Sequence, residues 1–110
     1  MSANGHSGDT GWFAKGFPPE SLDKHFKSHG KSCGCKSKSE YNNKAVDFMN
    51  ADDTATTESF VASNGTVYKY DSATGEFGMA KSDGTMITYF IPDNPDKYWE
   101  KQKEMHDNDF

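Results

Sequence analysis

Two histidines one helical turn apart are the residues of this chain best suited to acid–base chemistry. His25 and His29 lie four positions apart in the segment K-H-F-K-S-H-G. Imidazole has an ordinary pKa of about 6.5, so it can accept or donate a proton near neutral pH. Lys69, Thr88 and Tyr89 add a cation and two hydroxyl donors, which suit a negatively charged phosphorane. Together these side chains could cleave RNA by attack of its own 2′-hydroxyl, with no metal or other cofactor.

A zinc site is the alternative that the same segment suggests, because Cys33 and Cys35 follow the two histidines closely. Structural zinc normally joins two separated ligand pairs, and H-F-K-S-H lacks the glutamate of the zinc-protease helix. The two cysteines form C-G-C, a spacing that would strain a disulfide. The sequence therefore predicts no metal, and it predicts that both cysteines are free thiols or packing groups.

The histidines fall within a predicted first helix. Pro18, Pro19 and Glu20 suit its first turn, and Gly30 is a favourable stop. An apolar stripe at helical spacing holds Leu22, His25, Phe26 and His29. Both histidines are therefore expected on the side of this helix that packs against the rest of the domain.

The remaining local signals predict a second helix, a sheet and a last helix. Residues 37–40 form a capping box, and the helix after it carries an apolar stripe from Tyr41 to Met49. Four strands are predicted at 58–63, 66–71, 76–81 and 85–91, and Asn64-Gly65 is a strong hairpin signal. A final helix follows from 96 to about 105. The predicted class is α+β, with N-terminal helices packed on a four-stranded antiparallel meander and a closing C-terminal helix.

The chain of 110 residues is long enough for one domain. Residues 1–19 are predicted to be a linker or a tail that docks through Trp12, Phe13 and Phe17, and residues 20–110 a single domain. No apolar run is long enough to span a membrane, so no membrane span is expected.

Charge is unevenly distributed along the chain, which contains no arginine. Residues 21–44 carry six lysines and two acids, a balance of +4, whereas residues 45–110 carry five lysines and thirteen acids, a balance of −8. The net charge of −5 argues against unspecific nucleic-acid binding, and no DNA partner is expected. The lysines of residues 21–44 are either a phosphate-binding patch beside the histidines or a solvated helix face.

Four motifs occur in a fixed order: K-H-F-K-S-H-G, Y…A-x-x-F-M-N, V-x-K-Y-D-x-x-T-G-E-F-G and D-G-x-x-x-T-Y-F-x-P. In order and spacing they resemble the small nuclease domains at the C-termini of polymorphic bacterial toxins and phage-associated proteins. These domains belong to the barnase–EndoU–colicin–RelE superfamily, and the likeness is to colicin D and some contact-dependent growth inhibition toxins. The resemblance covers residues 24 to about 99.

The resemblance implies a metal-independent endoribonuclease that cleaves tRNA near the anticodon and is neutralised by an immunity protein. It also implies delivery as part of a larger secreted or cell-surface protein, with action in the cytoplasm of a target cell. The family's helix histidine falls on His29, with His25 as its partner. The strand cation, usually arginine, falls on Lys69, and the family's Thr-Tyr pair falls on Thr88 and Tyr89.

The proposed chemistry makes two demands on the sheet. Lys69 and Thr88 are expected on the same face, within about one phosphate of His29. Because successive side chains of a strand alternate faces, Thr88 and Tyr89 cannot both point into the site. We expect Thr88 to face the site and Tyr89 to be a core residue.

A different class of function also fits the sequence. The chain could be a non-catalytic interaction module of a phage or surface-associated protein, with an aromatic surface formed by Trp12, Tyr98 and Trp99. Toxicity on expression would discriminate the two, because an active RNase toxin harms its producer and a binding module does not.

Overall fold

The computed structural model describes residues 12–106, which form three helices and one four-stranded sheet. In chain order these are α1 Pro19–His29, α2 Lys38–Asn50, β1 Thr57–Val61, β2 Val67–Asp71, β3 Phe77–Ala80, β4 Met86–Phe90 and α3 Pro95–Met105. Neighbouring strands are antiparallel, in the order β1-β2-β3-β4. The predicted α+β class, the antiparallel meander and the closing helix are confirmed.

Two local sequence signals form the structures that they predict. At the start of α2, the Ser37 hydroxyl accepts a hydrogen bond of 3.1 Å from the Glu40 amide, which satisfies one of the free N–H groups of the first turn. At the β1–β2 turn, Gly65 has a φ of 90°. This left-handed conformation is accessible to glycine at little cost. The turn is further stabilised because the Thr66 amide donates to the Asn64 side-chain oxygen at 3.0 Å.

The sheet has two packed faces, because residues paired across antiparallel strands point to the same side. The α2 face carries Val67, Lys69, Gly78, Ala80 and Tyr89, which lie against the buried α2 residues Tyr41, Ala45 and Met49. The α3 face carries Tyr68, Tyr70, Phe77, Thr88 and Phe90, and Trp99 of α3 is buried against its aromatic residues. The two faces hold separate hydrophobic clusters.

An irregularity in β4 decides which of its residues reach each face. Thr88 pairs with Met79, but the next residue of β3, Ala80, pairs with Met86, so the pairing skips Ile87. Met86 therefore turns to the α2 face, although it lies only two residues before Thr88. Helix α1 contacts both β4 and α2. It covers the β4 edge, which brings its histidines beside the end of that strand.

The described part of the predicted N-terminal tail packs against the sheet. Ala14 and Phe17 are buried, Trp12 is partly buried, and Phe13 is exposed. The Met86 amide donates to the Gly16 carbonyl at 2.9 Å, so this segment also hydrogen-bonds to β4. Residues 12–19 thus contribute to the core of the domain, and the predicted tail residues 1–11 lie outside the described part.

Candidate acid–base site

The two histidines of α1 form a pair on the last turns of the helix. The ring centroids of His25 and His29 are 5.9 Å apart, and both side chains are half-exposed. His25 packs against the Phe17 ring at 5.0 Å, and His29 stacks on the Phe90 ring at 4.8 Å. Each imidazole therefore has an aromatic support on one side and access to solvent. We call His25 and His29 the imidazole pair.

Thr88 contributes a hydroxyl beside the ring of His25. Its Oγ1 lies 3.5 Å from His25 Nδ1, at the long end of hydrogen-bond distances. A hydroxyl can donate or accept, so either tautomer of His25 can use this contact. With Nδ1 directed at Thr88, the Nε2 atom of His25 remains for a substrate.

The surroundings of the pair lower the pKa of both imidazoles. Partial burial lowers the pKa of His29, because desolvation disfavours the imidazolium. Burial also lowers the pKa of His25, and the neighbouring charge of His29 lowers it further. Because two neighbouring imidazolium ions repel each other, the pair favours a state with a single proton over a doubly protonated one. Two neighbouring imidazoles, one neutral and one protonated, could together supply a base and an acid.

Lys69 does not join this site. It pairs with Gly78, which pairs with Tyr89, so Lys69 lies on the α2 face, whereas Thr88 lies on the α3 face. The expectation that Lys69 and Thr88 share a sheet face is wrong. The reason is the strand register, which the alternation within each strand does not reveal.

Lys69 is instead buried beneath the C-terminal end of α2, where it contacts residues that directly follow that helix. Its side chain is only 1% exposed, and Nζ donates to the Ala51 carbonyl at 2.6 Å and lies 3.7 Å from Asp53. The ammonium also lies 5.5 Å from the centre of the Phe48 ring. Burial lowers the Lys69 pKa, and Asp53 opposes that shift. A cation at the C-terminal end of a helix is favourable, and α2 has no basic residue in its own last turn.

Tyr89 is a core residue, as its alternation with Thr88 predicts. It is 0% exposed, and its hydroxyl donates to Glu76, while its carbonyl accepts from the Tyr41 hydroxyl. Burial, followed by the interaction with Glu76, raises the Tyr89 pKa far above its usual value. The phenol is therefore a neutral, internally bonded group, turned away from the imidazole pair.

A groove that was not predicted from the sequence lies beside the imidazole pair and shares Phe90 with it. It has a volume of about 320 Å³, and its lining includes Phe90, Asp93, Lys97, Tyr98 and Lys101. The residue types gave a usable signal, because two lysines four apart on a helix share a face with the tyrosine between them. We call this feature the α3 groove.

The aromatic surface of the interaction-module hypothesis does not form as predicted. Trp99 is only 2% exposed and packs between Phe60 and Tyr70. Trp12 is tied to the β3–β4 turn through a hydrogen bond of 3.2 Å from its Nε1 to the Lys81 carbonyl. Of the three residues expected on this surface, Trp99 is therefore excluded by burial.

The basic stretch of residues 21–44 is only partly available for ligands. Lys27 and Lys38 both contact the Asp23 carboxylate, at 3.0 and 3.4 Å, and their hydrogen bonds lower its pKa. Lys44 donates to the Cys33 carbonyl at 3.2 Å. Half of the six lysines therefore have partners within the domain. Such exposed ion pairs are common on a solvated helix face.

Cys33 and Cys35 are buried free thiols, and burial is the main cause of the raised pKa of each. Among residues 12–106, no group of three or more histidine, cysteine or acidic side chains is placed to hold a metal ion. Within the same range, no helix is long and apolar enough to cross a membrane.

Comparisons with known proteins add no assignment to this geometry. No protein-family model matches the chain. A search of curated proteins finds no significant match either. The chemistry of the side chains themselves, above all of the imidazole pair and its neighbours, is therefore the basis for assigning a function.

Proposed function

We propose that this domain is a metal-independent endoribonuclease in which the imidazole pair supplies the general base and the general acid. The observation that carries the proposal is the pairing of two half-exposed imidazoles, 5.9 Å apart, with the Thr88 hydroxyl beside one of them. Cleavage by an internal 2′-hydroxyl requires only protonic groups placed around one phosphate. The motif resemblance favours the same reaction, with tRNA as the substrate.

We assign the role of base to His25 because the Thr88 hydroxyl orients its imidazole, and the role of acid to its neighbour His29. Neutral His25 removes the proton of the 2′-hydroxyl, and that oxygen attacks the phosphorus as the bond to the 5′-oxygen breaks. His29, as the protonated partner, gives its proton to the departing 5′-oxygen. The products are a 2′,3′-cyclic phosphate and a 5′-hydroxyl, and the two histidines have exchanged protonation states. Thr88 is a positioning residue that orients His25 through Nδ1.

The first experiment tests cleavage of total tRNA by the purified domain in excess EDTA. We expect cleavage to continue in EDTA and to leave cyclic phosphate ends. Substituting the scissile nucleotide by its 2′-deoxy form in a short RNA should abolish it, because the nucleophile is then missing. Loss of cleavage in EDTA that is reversed by a divalent metal would replace this mechanism by a metal-dependent one.

Substitutions then test the roles. His25→Ala and His29→Ala should each reduce turnover by roughly 10²- to 10⁴-fold, the usual contribution of a general acid or base. Thr88→Val should reduce turnover by a smaller factor. It should also shift the pKa that the pH–rate profile reports for the general base, because His25 loses a hydrogen-bond partner. His106→Gln is a matched control, since that histidine contacts Tyr68 on the α3 face. Full activity of a folded His29→Ala protein would exclude the assignment.

The proposal includes a protein partner, because an active ribonuclease must be neutralised in the cell that makes it. The resemblance implies an immunity protein encoded next to the domain, and delivery of the domain to target cells within a larger protein. The test is co-expression: the adjacent gene should relieve toxicity, and its product should co-purify with the domain. Harmless expression of the domain alone would count against both the toxin and the partner.

A further inference from the structure

The α3 groove has the composition of a site for one nucleotide. Phe90 and Tyr98 provide aromatic surface, and Lys97 and Lys101 stand on the α3 side of the groove, opposite the loop that carries Asp93. Aromatic side chains support bases by stacking, and lysines neutralise phosphates. The volume of about 320 Å³ is at the lower end of the range for ligand pockets, which suits a single nucleotide rather than a larger ligand.

The groove is continuous with the imidazole pair through one shared residue. Phe90 stacks on His29 at a centroid distance of 4.8 Å, and Tyr98 meets Phe90 edge-on at 5.4 Å. A chain whose reacting phosphate lies at the imidazole pair therefore reaches the groove with its adjacent nucleotide. Both parts of the site lie at the same end of β4.

The charges around the groove favour an anion, although residues 45–110 are acidic as a whole. The α3 acids Asp96 and Glu100 are engaged elsewhere, since Asp96 accepts from the Tyr70 hydroxyl and Glu100 lies 3.1 Å from Lys103. Within the described range, Lys97 and Lys101 form no ion pair. The titratable groups that line the groove are thus two lysines, Tyr98 and one carboxylate, Asp93.

We propose that the α3 groove binds the nucleotide of single-stranded RNA next to the scissile phosphate, with its base on Tyr98 and its phosphates on Lys97 and Lys101. This inference rests on the proposed ribonuclease function. It assigns the phosphate cations to α3, in place of the buried Lys69. It also specifies the substrate as unpaired RNA, because a base in a duplex is stacked on its neighbours and is not available to Tyr98.

Binding is measured separately from cleavage with a fluorescent single-stranded 2′-O-methyl oligoribonucleotide, which lacks the nucleophile. The probe is titrated with the full chain at several salt concentrations. We expect Lys97→Ala combined with Lys101→Ala to weaken binding by about 10-fold and to reduce the log–log salt slope by about 1.4, the value for two lost single-strand phosphate contacts. The matched control is Lys15→Ala combined with Lys81→Ala, two exposed lysines near the β3–β4 turn.

A second variant tests the aromatic part of the groove. Tyr98→Leu should weaken binding of the same probe without changing the salt slope, because stacking is lost and no charge is removed. Tyr98 also packs on Phe77, so the urea midpoint of this variant is measured first, and the lysine variants carry the test if it fails to fold.

The outcomes separate this inference from the proposed function. If the groove variants weaken binding but the wild-type domain never cleaves RNA, the subsite stands and the ribonuclease proposal fails. If the wild type cleaves RNA and the groove variants bind and cleave like the control, the subsite is wrong and the ribonuclease proposal stands. Failure of the wild-type chain to bind the probe would also overturn the subsite.

Discussion

Substitution of Lys69 separates the role that the motif resemblance implies from the role that the packing supports. The resemblance makes Lys69 the phosphate cation, so its loss should reduce turnover. In the structure the ammonium donates to the Ala51 carbonyl at 2.6 Å and lies on the sheet face opposite Thr88. We therefore expect Lys69 variants to change stability and to leave the turnover of the folded protein within about twofold of wild type, well below the usual acid–base contribution.

The magnitudes differ between two substitutions. Lys69→Ala deletes a side chain that is only 1% exposed, which should cost about 2–5 kcal/mol, as for other long buried side chains cut to alanine. Lys69→Met refills the space of the stem. It leaves the Ala51 carbonyl without its donor, at about 1–3 kcal/mol, but it also removes a buried charge whose pKa burial lowers. These two effects oppose each other, so we expect Lys69→Met to cost less than about 1.5 kcal/mol.

The assay combines urea unfolding, followed by circular dichroism, with single-turnover cleavage of RNA. Cleavage is measured well below the unfolding midpoint and corrected for the folded fraction. The expected order of stability is wild type, then Lys69→Met, then Lys69→Ala, with similar corrected rates for all three. A fully folded Lys69→Met protein that cleaves 100-fold more slowly would refute this reasoning and return Lys69 to the site.

Three further predictions follow from packing and titration. Burial holds the pKa of both histidines of the imidazole pair below 6.5, so the unfolded chain binds protons before the folded chain does as the pH falls. The contribution of the pair to the free energy of unfolding should therefore be complete above pH 6.5 and decline below it. Replacing both histidines by glutamine should flatten this decline in urea midpoints measured from about pH 7 to about pH 5. Gly78→Ala would place a Cβ 2.6 Å from the Met49 sulfur, so it should cost about 1–3 kcal/mol in urea unfolding, and an unchanged midpoint would contradict the packing of α2 on β3. Tyr89→Phe removes the hydroxyl that donates to Glu76, so it should lose about 1–3 kcal/mol in the same assay with no change in RNA cleavage, whereas a catalytic loss in the folded protein would bring Tyr89 into the site.

The elements of the domain could be predicted from the sequence because their signals are local. The capping residues of α2, the Asn64-Gly65 turn and the alternating strands each depend on contacts within a few positions. The stripe that holds Tyr41, Ala45 and Met49 likewise identified the buried side of α2. Alternation within β4 also separated Thr88 from Tyr89 correctly, since neighbouring side chains of a strand point to opposite faces.

Only the tertiary structure decided which residues from different strands meet. Alternation relates positions within one strand, whereas the relation between Lys69 and Thr88 depends on two successive pairings between strands, Lys69 with Gly78 and Gly78 with Tyr89. A one-residue change of register reverses every face, and nothing in the local sequence around Lys69 records that register. The end of α2 then buries the lysine, because the Ala51 carbonyl and Asp53 happen to lie above it.

The candidate site was likewise predicted only in part from the sequence. The spacing of His25 and His29 placed both imidazoles on one side of α1, because residues four apart share a helix face. Their contacts with Thr88 and Phe90 arise from the docking of α1 against the β4 edge, a long-range packing that helix periodicity does not specify. The lining of the α3 groove comes from one continuous segment, residues 90–101, but its position next to His29 again depends on the docking of α1. The sequence by itself determined which side chains could do chemistry, and the packing of α1 and α3 around one strand determined which of them lie together.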